Sequence, residues 1–237
     1  MKEIIFEKIV LFLDNISQRQ NLKFIKNLLG EDIGVIFDVG CHKGETIDLI
    51  LKYFKVEKIY AFEPNETLVN NIDKSKYQNT EFVKKALGEK KQSKKFLKSN
   101  FSPVNSLHKI NSESNYSIFK QQVINFFFKK NIPQEHNIDV ITFDDFCKKY
   151  KIKSIDLLKI DTEGYEYYIL KGAIKNLKKV KIILLEHHYD SSIIKGYKFW
   201  QIIKILKELG FEIRFKNKMV LRNIFEYVFV NKELIKQ

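Results

Sequence analysis

The chain has 237 residues, and its 42 Lys and Arg against 29 Asp and Glu give a formal net charge of +13. The length suits one α/β domain with a large core, while 44% hydrophobic and 14% aromatic residues exclude a disordered chain. Two cysteines, Cys41 and Cys147, exclude a disulfide scaffold and belong to no CxxC pair, so a cytoplasmic location is expected.

Residues 1–30 form the first expected unit, an N-terminal helical segment ending near Gly30. Glu7, Lys8 and Asp14 interrupt its apolar run well short of the roughly 18 to 20 residues a membrane span needs. No small-residue cleavage site follows, so the pattern is that of an amphipathic helix and not a signal peptide. Contact with a membrane surface through this helix stays open.

From residue 31 to 237 apolar runs alternate with helical patterns. "GVIFDVG" reads as a strand, "GETIDLILKYF" as a helix, and "KIYAFEP" as the next strand. "NETLVNNIDKSK" is a helix with Asn65 as its N-cap, and "TEFVKKALG" is a third strand. Between about residues 90 and 137 the alternation lapses into a loop-rich insertion, interrupted by the aromatic run at 126–128. It resumes with "DVITFDDFCKKY" and "IDLLKID", then one helix through "YEYYILKGAIKNLKKV" and the strand "KIILLEHH". The helix "KFWQIIKILKELG" ends at Gly210, and "FEIRFK" and "FEYVFVNKEL" are expected to close the fold as an antiparallel pair. Such alternation predicts a doubly wound, mostly parallel α/β sheet with helices on both faces.

In that architecture ligands bind beyond the carboxyl ends of the strands, where the winding reverses. "VIFDVGCHKGET" places Asp38, Gly40 and Gly44 there. The glycines permit a tight turn and close approach of a ligand to the backbone, and the helix after Gly44 offers free N–H groups. Their spacing is GxxxG and not GxGxxG, which counts against a pyrophosphate cofactor. Glu63, at the tip of the second strand, suits the ribose hydroxyls of an adenosine, a grip shared by NAD and S-adenosylmethionine sites.

"FDVGCHKGE", "YAFEP", "ALG", "VITFDDF", "IDLLKIDTEGYEYYILKGA" and "ILLEHH" together resemble the FkbM family of S-adenosylmethionine-dependent methyltransferases. The resemblance covers residues 33 to 190, and the KID-x-EG-x-E run is its most specific part. It implies a class I methyltransferase fold with a seven-stranded Rossmann-like sheet, and an O-methyltransferase acting on sugar hydroxyls. Asp38 and Gly40 would then line the methionine side of S-adenosylmethionine, Glu63 its ribose, and Ala86 and Leu87 its adenine. Asn105 stands where the family usually has a serine.

Asp161 and Glu163 fall at the tip of the fourth main strand, facing the donated methyl group. A sugar hydroxyl is a poor nucleophile until a base or a metal acts on its proton. Asp161, Glu186 and His187 are the expected catalytic residues, with His187 or Asp161 as base and no metal ligands assigned, although a divalent metal held by oxygen ligands stays open. The expected partner is a carbohydrate, phosphorylated or nucleotide-linked, in capsule, lipopolysaccharide or similar material. Nucleic acid is not expected, because the positive charge is mostly scattered lysine without an arginine-rich segment. The alternatives are an RNA methyltransferase and a non-catalytic membrane-peripheral protein, and self-association stays open.

Overall fold

The computed structural model describes residues 2–98, 107, 134–190, 193–220 and 222–235, with no side chain described before residue 13. The elements in chain order are α1 (Lys2–Leu29), β1 (Asp32–Val39), α2 (Glu45–Tyr53), β2 (Lys55–Phe62), α3 (Glu66–Asn70), β3 (Thr80–Val83), β4 (Ala86–Leu87), β5 (Gln92–Lys98) and β6 (Gln134–Ile141). They continue with α4 (Phe143–Lys149), β7 (Ile155–Ile160), α5 (Glu166–Lys171), α6 (Ile174–Leu177), β8 (Val180–His188), α7 (Phe199–Glu208), β9 (Phe211–Lys218) and β10 (Ile224–Asn231).

Seven strands form the main sheet in the order β3-β2-β1-β7-β8-β10-β9, with β10 antiparallel to both of its neighbours. All six residues of β7 are buried, as expected of a parallel strand covered on both faces. One face packs Phe37, Leu158, Ile183 and Phe229 against α4, α5, α6 and α7 through Phe146, Ile169, Leu177 and Ile202. The other packs Ile36, Leu157, Ile182 and Val228 against α1 and α2 through Leu22, Ile25, Ile47 and Ile50. The end of α1 is thus part of the core, and Phe24 stacks on Phe215 of β9 with ring centroids 5.0 Å apart.

Asn65 caps α3 by accepting from Thr67 N at 3.2 Å, the sequence expectation at that position. Two expected elements break. "TEFVKKALG" divides at the exposed Lys84 into β3, on the edge of the main sheet, and β4, which pairs with β6 in a separate three-stranded sheet. The long helix after residue 164 divides into α5 and α6 at Gly172, where a Cβ would collide with the carbonyl oxygen of Gly88. Proximity of the chain after β4 requires that glycine. β5 and β6 take up the described ends of the 90–137 stretch, pairing antiparallel, while Asn105 and residues 126–128 lie outside the described residues. Among the described residues no helix is long and apolar enough to cross a membrane.

Gly172→Ala is expected to lower the unfolding free energy by about 1–3 kcal/mol, because backbone must move to admit the methyl group. Urea denaturation measures this, with the surface change Lys175→Ala expected to have little effect.

Candidate active site

The winding of the sheet reverses between β1 and β7, and the chain turns at the two strand tips meet there. After β1, the amides of Gly40 and Cys41 both donate to the Phe62 carbonyl, at 2.9 and 3.0 Å, which ties the glycine turn to β2. Asp161 N donates to Val39 O at 2.9 Å and ties the β7 tip to the same turn. Gly40 has φ +87°, and a Cβ there would collide with the Asp161 carbonyl. Only glycine lets these two turns lie against each other.

Beneath the turns lies a buried ion cluster. Lys159 of β7, 2% exposed, places Nζ 3.2 Å from Asp38 Oδ1 and 3.2 Å from Asp161 Oδ2. Burial alone would drive the proton off Lys159, but Asp161 and Asp38 outweigh it and hold the amine above its ordinary value. Burial pushes the fully buried Asp38 carboxyl up, with Lys159 pulling against it. Asp38 Oδ2 is buried and has no hydrogen-bond partner. A buried, unpartnered carboxylate oxygen beside a backbone-only turn fits a ligand that brings a cationic or hydrogen-bond-donating group, as an amino-acid moiety does.

Glu63, at the tip of β2, accepts from Asn65 N at 2.8 Å and from His42 N at 3.2 Å. Both carboxylate oxygens are thereby fixed in place, each keeping acceptor capacity for a ribose hydroxyl. Burial pushes its value up to about 7 from an ordinary 4.5, against the pull of the Asn65 and His42 amides. Gly44 opens α2, and Glu45 in the first turn of that helix contacts His42 Nδ1 at 2.9 Å. Ala86 and Leu87 are buried in β4, and Leu87 belongs to the cluster that includes Val39, Phe62 and Tyr165.

The loop between β7 and α5 is folded around Glu166, which sequence reasoning had passed over. Its buried carboxylate accepts from Gly164 N at 2.8 Å, from Thr162 Oγ1 at 3.2 Å and from Tyr197 OH at 2.5 Å. The second glutamate of "DTEGYE" was the available signal, read there only as part of a family signature. Glu163, held by this loop with φ +50°, brings Oε2 within 3.3 Å of His188 Nε2. Glu186 Oε1 lies 2.9 Å from the same nitrogen, and Asp190 Oδ2 lies 3.3 Å from Nδ1. Burial, with Asp161 nearby, pushes Glu186 up to about 8.

Strand alternation explains why His188 and not His187 joins this group. Glu186 and His188 are two residues apart and share the α1 and α2 face with Asp38, Lys159 and Glu226. His187 turns to the opposite face, its ring centroid 4.6 Å from that of Phe199 and 4.9 Å from that of Tyr189. Burial lowers its value to about 3, and its Nδ1 has no hydrogen-bond partner. Asp38, Gly40, Asp161 and Glu186 therefore gather where the tips of β1, β7 and β8 meet, with Glu63 beside them at the β2 tip, while His187 is directed to the opposite face.

Sheet order, the glycine turn and Glu63 together define a class I methyltransferase fold. The strand arrangement matches that of a solved methyltransferase. That of an FkbM methyltransferase from Methylobacillus flagellatus KT aligns with TM-score 0.55 at 15% identity, covering 86% of this chain and 45% of that one. This chain thus spans less than half of that protein's length. A SAM-dependent methyltransferase from Aquifex aeolicus gives TM-score 0.47 at 14% identity, covering 91% and 89%. M. capricolum TrmK, solved with S-adenosyl-homocysteine, gives 0.47 at 11% identity, covering 90% and 67%. No curated protein matches the chain. Residues 38–213 match the Methyltransferase FkbM domain, and the chain belongs to that family of S-adenosylmethionine-dependent methyltransferases.

Because burial pushes the Glu63 carboxyl up to about 7, its protonated fraction grows as pH falls through that value, and the protonated carboxyl has fewer lone pairs to offer a ligand hydroxyl. Calorimetric affinity for S-adenosylmethionine is expected to rise with pH between 6 and 8, by about threefold or more. Glu63→Gln is expected to bind more weakly and to flatten that dependence.

Proposed function

We propose that the protein methylates a hydroxyl of a sugar, carried on a nucleotide, a lipid or a polysaccharide. The observation that carries this reading is the carboxylate pair of Asp161 and Glu186 at the tips of β7 and β8, across the glycine turn from Glu63. Oxygen nucleophiles of low acidity need a proton acceptor, and these two carboxylates supply groups that can take that part. S-adenosylmethionine, when bound, supplies a methyl group on a sulfonium whose C–S bond breaks with its electron pair left on sulfur.

Asp38 and Gly40 hold the methionine portion in this account, Gly44 opens the helix beside it, Glu63 holds the ribose, and Ala86 and Leu87 border the adenine. Asp161, 25% exposed and oriented by Lys159, accepts the hydroxyl proton as the acceptor oxygen forms its bond to the methyl carbon. Glu186 supports the acceptor from the neighbouring strand. His187, packed among aromatic rings on the other face, has a structural part. The net charge of +13 suits an acceptor with a phosphorylated handle.

Asp161→Asn is expected to lower methyl transfer to a nucleotide-sugar or glycan acceptor by about 100-fold or more, with S-adenosylmethionine affinity nearly unchanged. A radiolabelled-methyl screen over nucleotide-sugars, glycans and RNA identifies the acceptor. Incorporation into RNA alone would overturn the sugar reading.

A further inference from the structure

The group formed by Glu163, Glu186 and His188 has a use beyond closing the loop. One carboxylate oxygen from each glutamate and one imidazole nitrogen lie within 4.8 Å of one another. His188 is 3% exposed, and Asp190 Oδ2 stands 3.3 Å behind its Nδ1, so Nε2 is directed at the two glutamates. A carboxylate behind a histidine fixes the ring and its tautomer where the other nitrogen ligates a metal. Glu163 is 25% exposed on its side of the group, which leaves an approach from solvent.

Glu163, Glu186 and Asp190 bring three carboxyl groups around one imidazole, and Lys195 donates to the His188 carbonyl. Lys159, engaged by Asp38 and Asp161, also lies close enough to Glu186 for the two to attract each other.

We propose that Glu163, Glu186 and His188 bind a divalent metal cation. One nitrogen and two carboxylate oxygens suit a first-row ion such as Mn(II) better than Mg(II), which favours all-oxygen surroundings. The Nε2 proton leaves to solvent as the ion binds, and the positions turned away from the protein stay with water. The inference rests on the methyltransferase reading only for its purpose: an acceptor hydroxyl taking one of those water positions would be polarised beside Asp161.

Mn(II) added to the metal-stripped full-length chain, followed by electron paramagnetic resonance, tests the site without any acceptor. The expected result is saturable binding of one ion per chain, weakened about tenfold or more in Glu163→Gln and in Glu186→Gln, and unchanged in the distant Glu89→Gln. A rise in melting temperature with Mn(II), larger than with equal Mg(II), is expected in the unaltered protein and does not depend on any variant folding. Absence of saturable binding by Mn(II), Zn(II) and Mg(II), with S-adenosylmethionine still bound, would overturn the site and leave the methyltransferase reading standing. Metal binding without S-adenosylmethionine binding would do the reverse.

Discussion

A lysine ammonium buried at the centre of the sheet fixes the relation between the two halves of the site. Lys159 touches Asp38 on β1 and Asp161 on the loop after β7, so one cation joins the strand tip that carries the glycine turn to the loop that faces it. Stripping water from such an ion is costly, and the cost is offset only if both carboxylates stay in place. Asp38 and Lys159 are register partners, which spares the pair any search for geometry. The close contact of Gly40 with the Asp161 carbonyl is the backbone counterpart of the same join.

Strand alternation then sorts the chemistry. Residues of one parity at the strand tips, Asp38, Lys159, Glu186, His188 and Glu226, face α1 and α2, while the other parity supplies Phe37, Phe62, His187 and Phe229 to the aromatic face. α1 closes the polar side from behind, its Asn21 donating to Glu226 at 2.7 Å. Burial pushes Glu226 up to about 7 and Glu186 up to about 8, so this face concentrates carboxyls whose ionisation is costly. The N-terminal helix is thus tied to the state of the site's polar wall, and not only to the core.

The sheet was readable from the chain because its central strands β1, β7 and β8 are largely apolar runs bounded by turns, and parallel strands buried on both faces give that signal strongly. Where polar residues and small contacts decide, the sequence was silent. Nothing local marks Lys84 as the break between β3 and β4, or Gly172 as the meeting point with Gly88, since both depend on a neighbour distant in the chain. The placement of Asp38, Gly40 and Glu63 at the strand tips was legible. The choice between His187 and His188 was not, because it needs the phase of β8 relative to the sheet, and adjacent histidines carry no mark of which faces the crevice. Glu166 and Lys159 were hidden inside a signature whose members looked interchangeable until their hydrogen bonds distinguished them.

The Lys159 ammonium holds the glycine turn after β1 and the loop after β7 in register. Calorimetry of S-adenosylmethionine binding to Lys159→Met, with folding verified by circular dichroism, addresses it most directly. The account predicts a folded protein, destabilised by about 3–5 kcal/mol, whose affinity falls about tenfold or more, which is about 1.4 kcal/mol of binding. Unchanged affinity in folded Lys159→Met would contradict it.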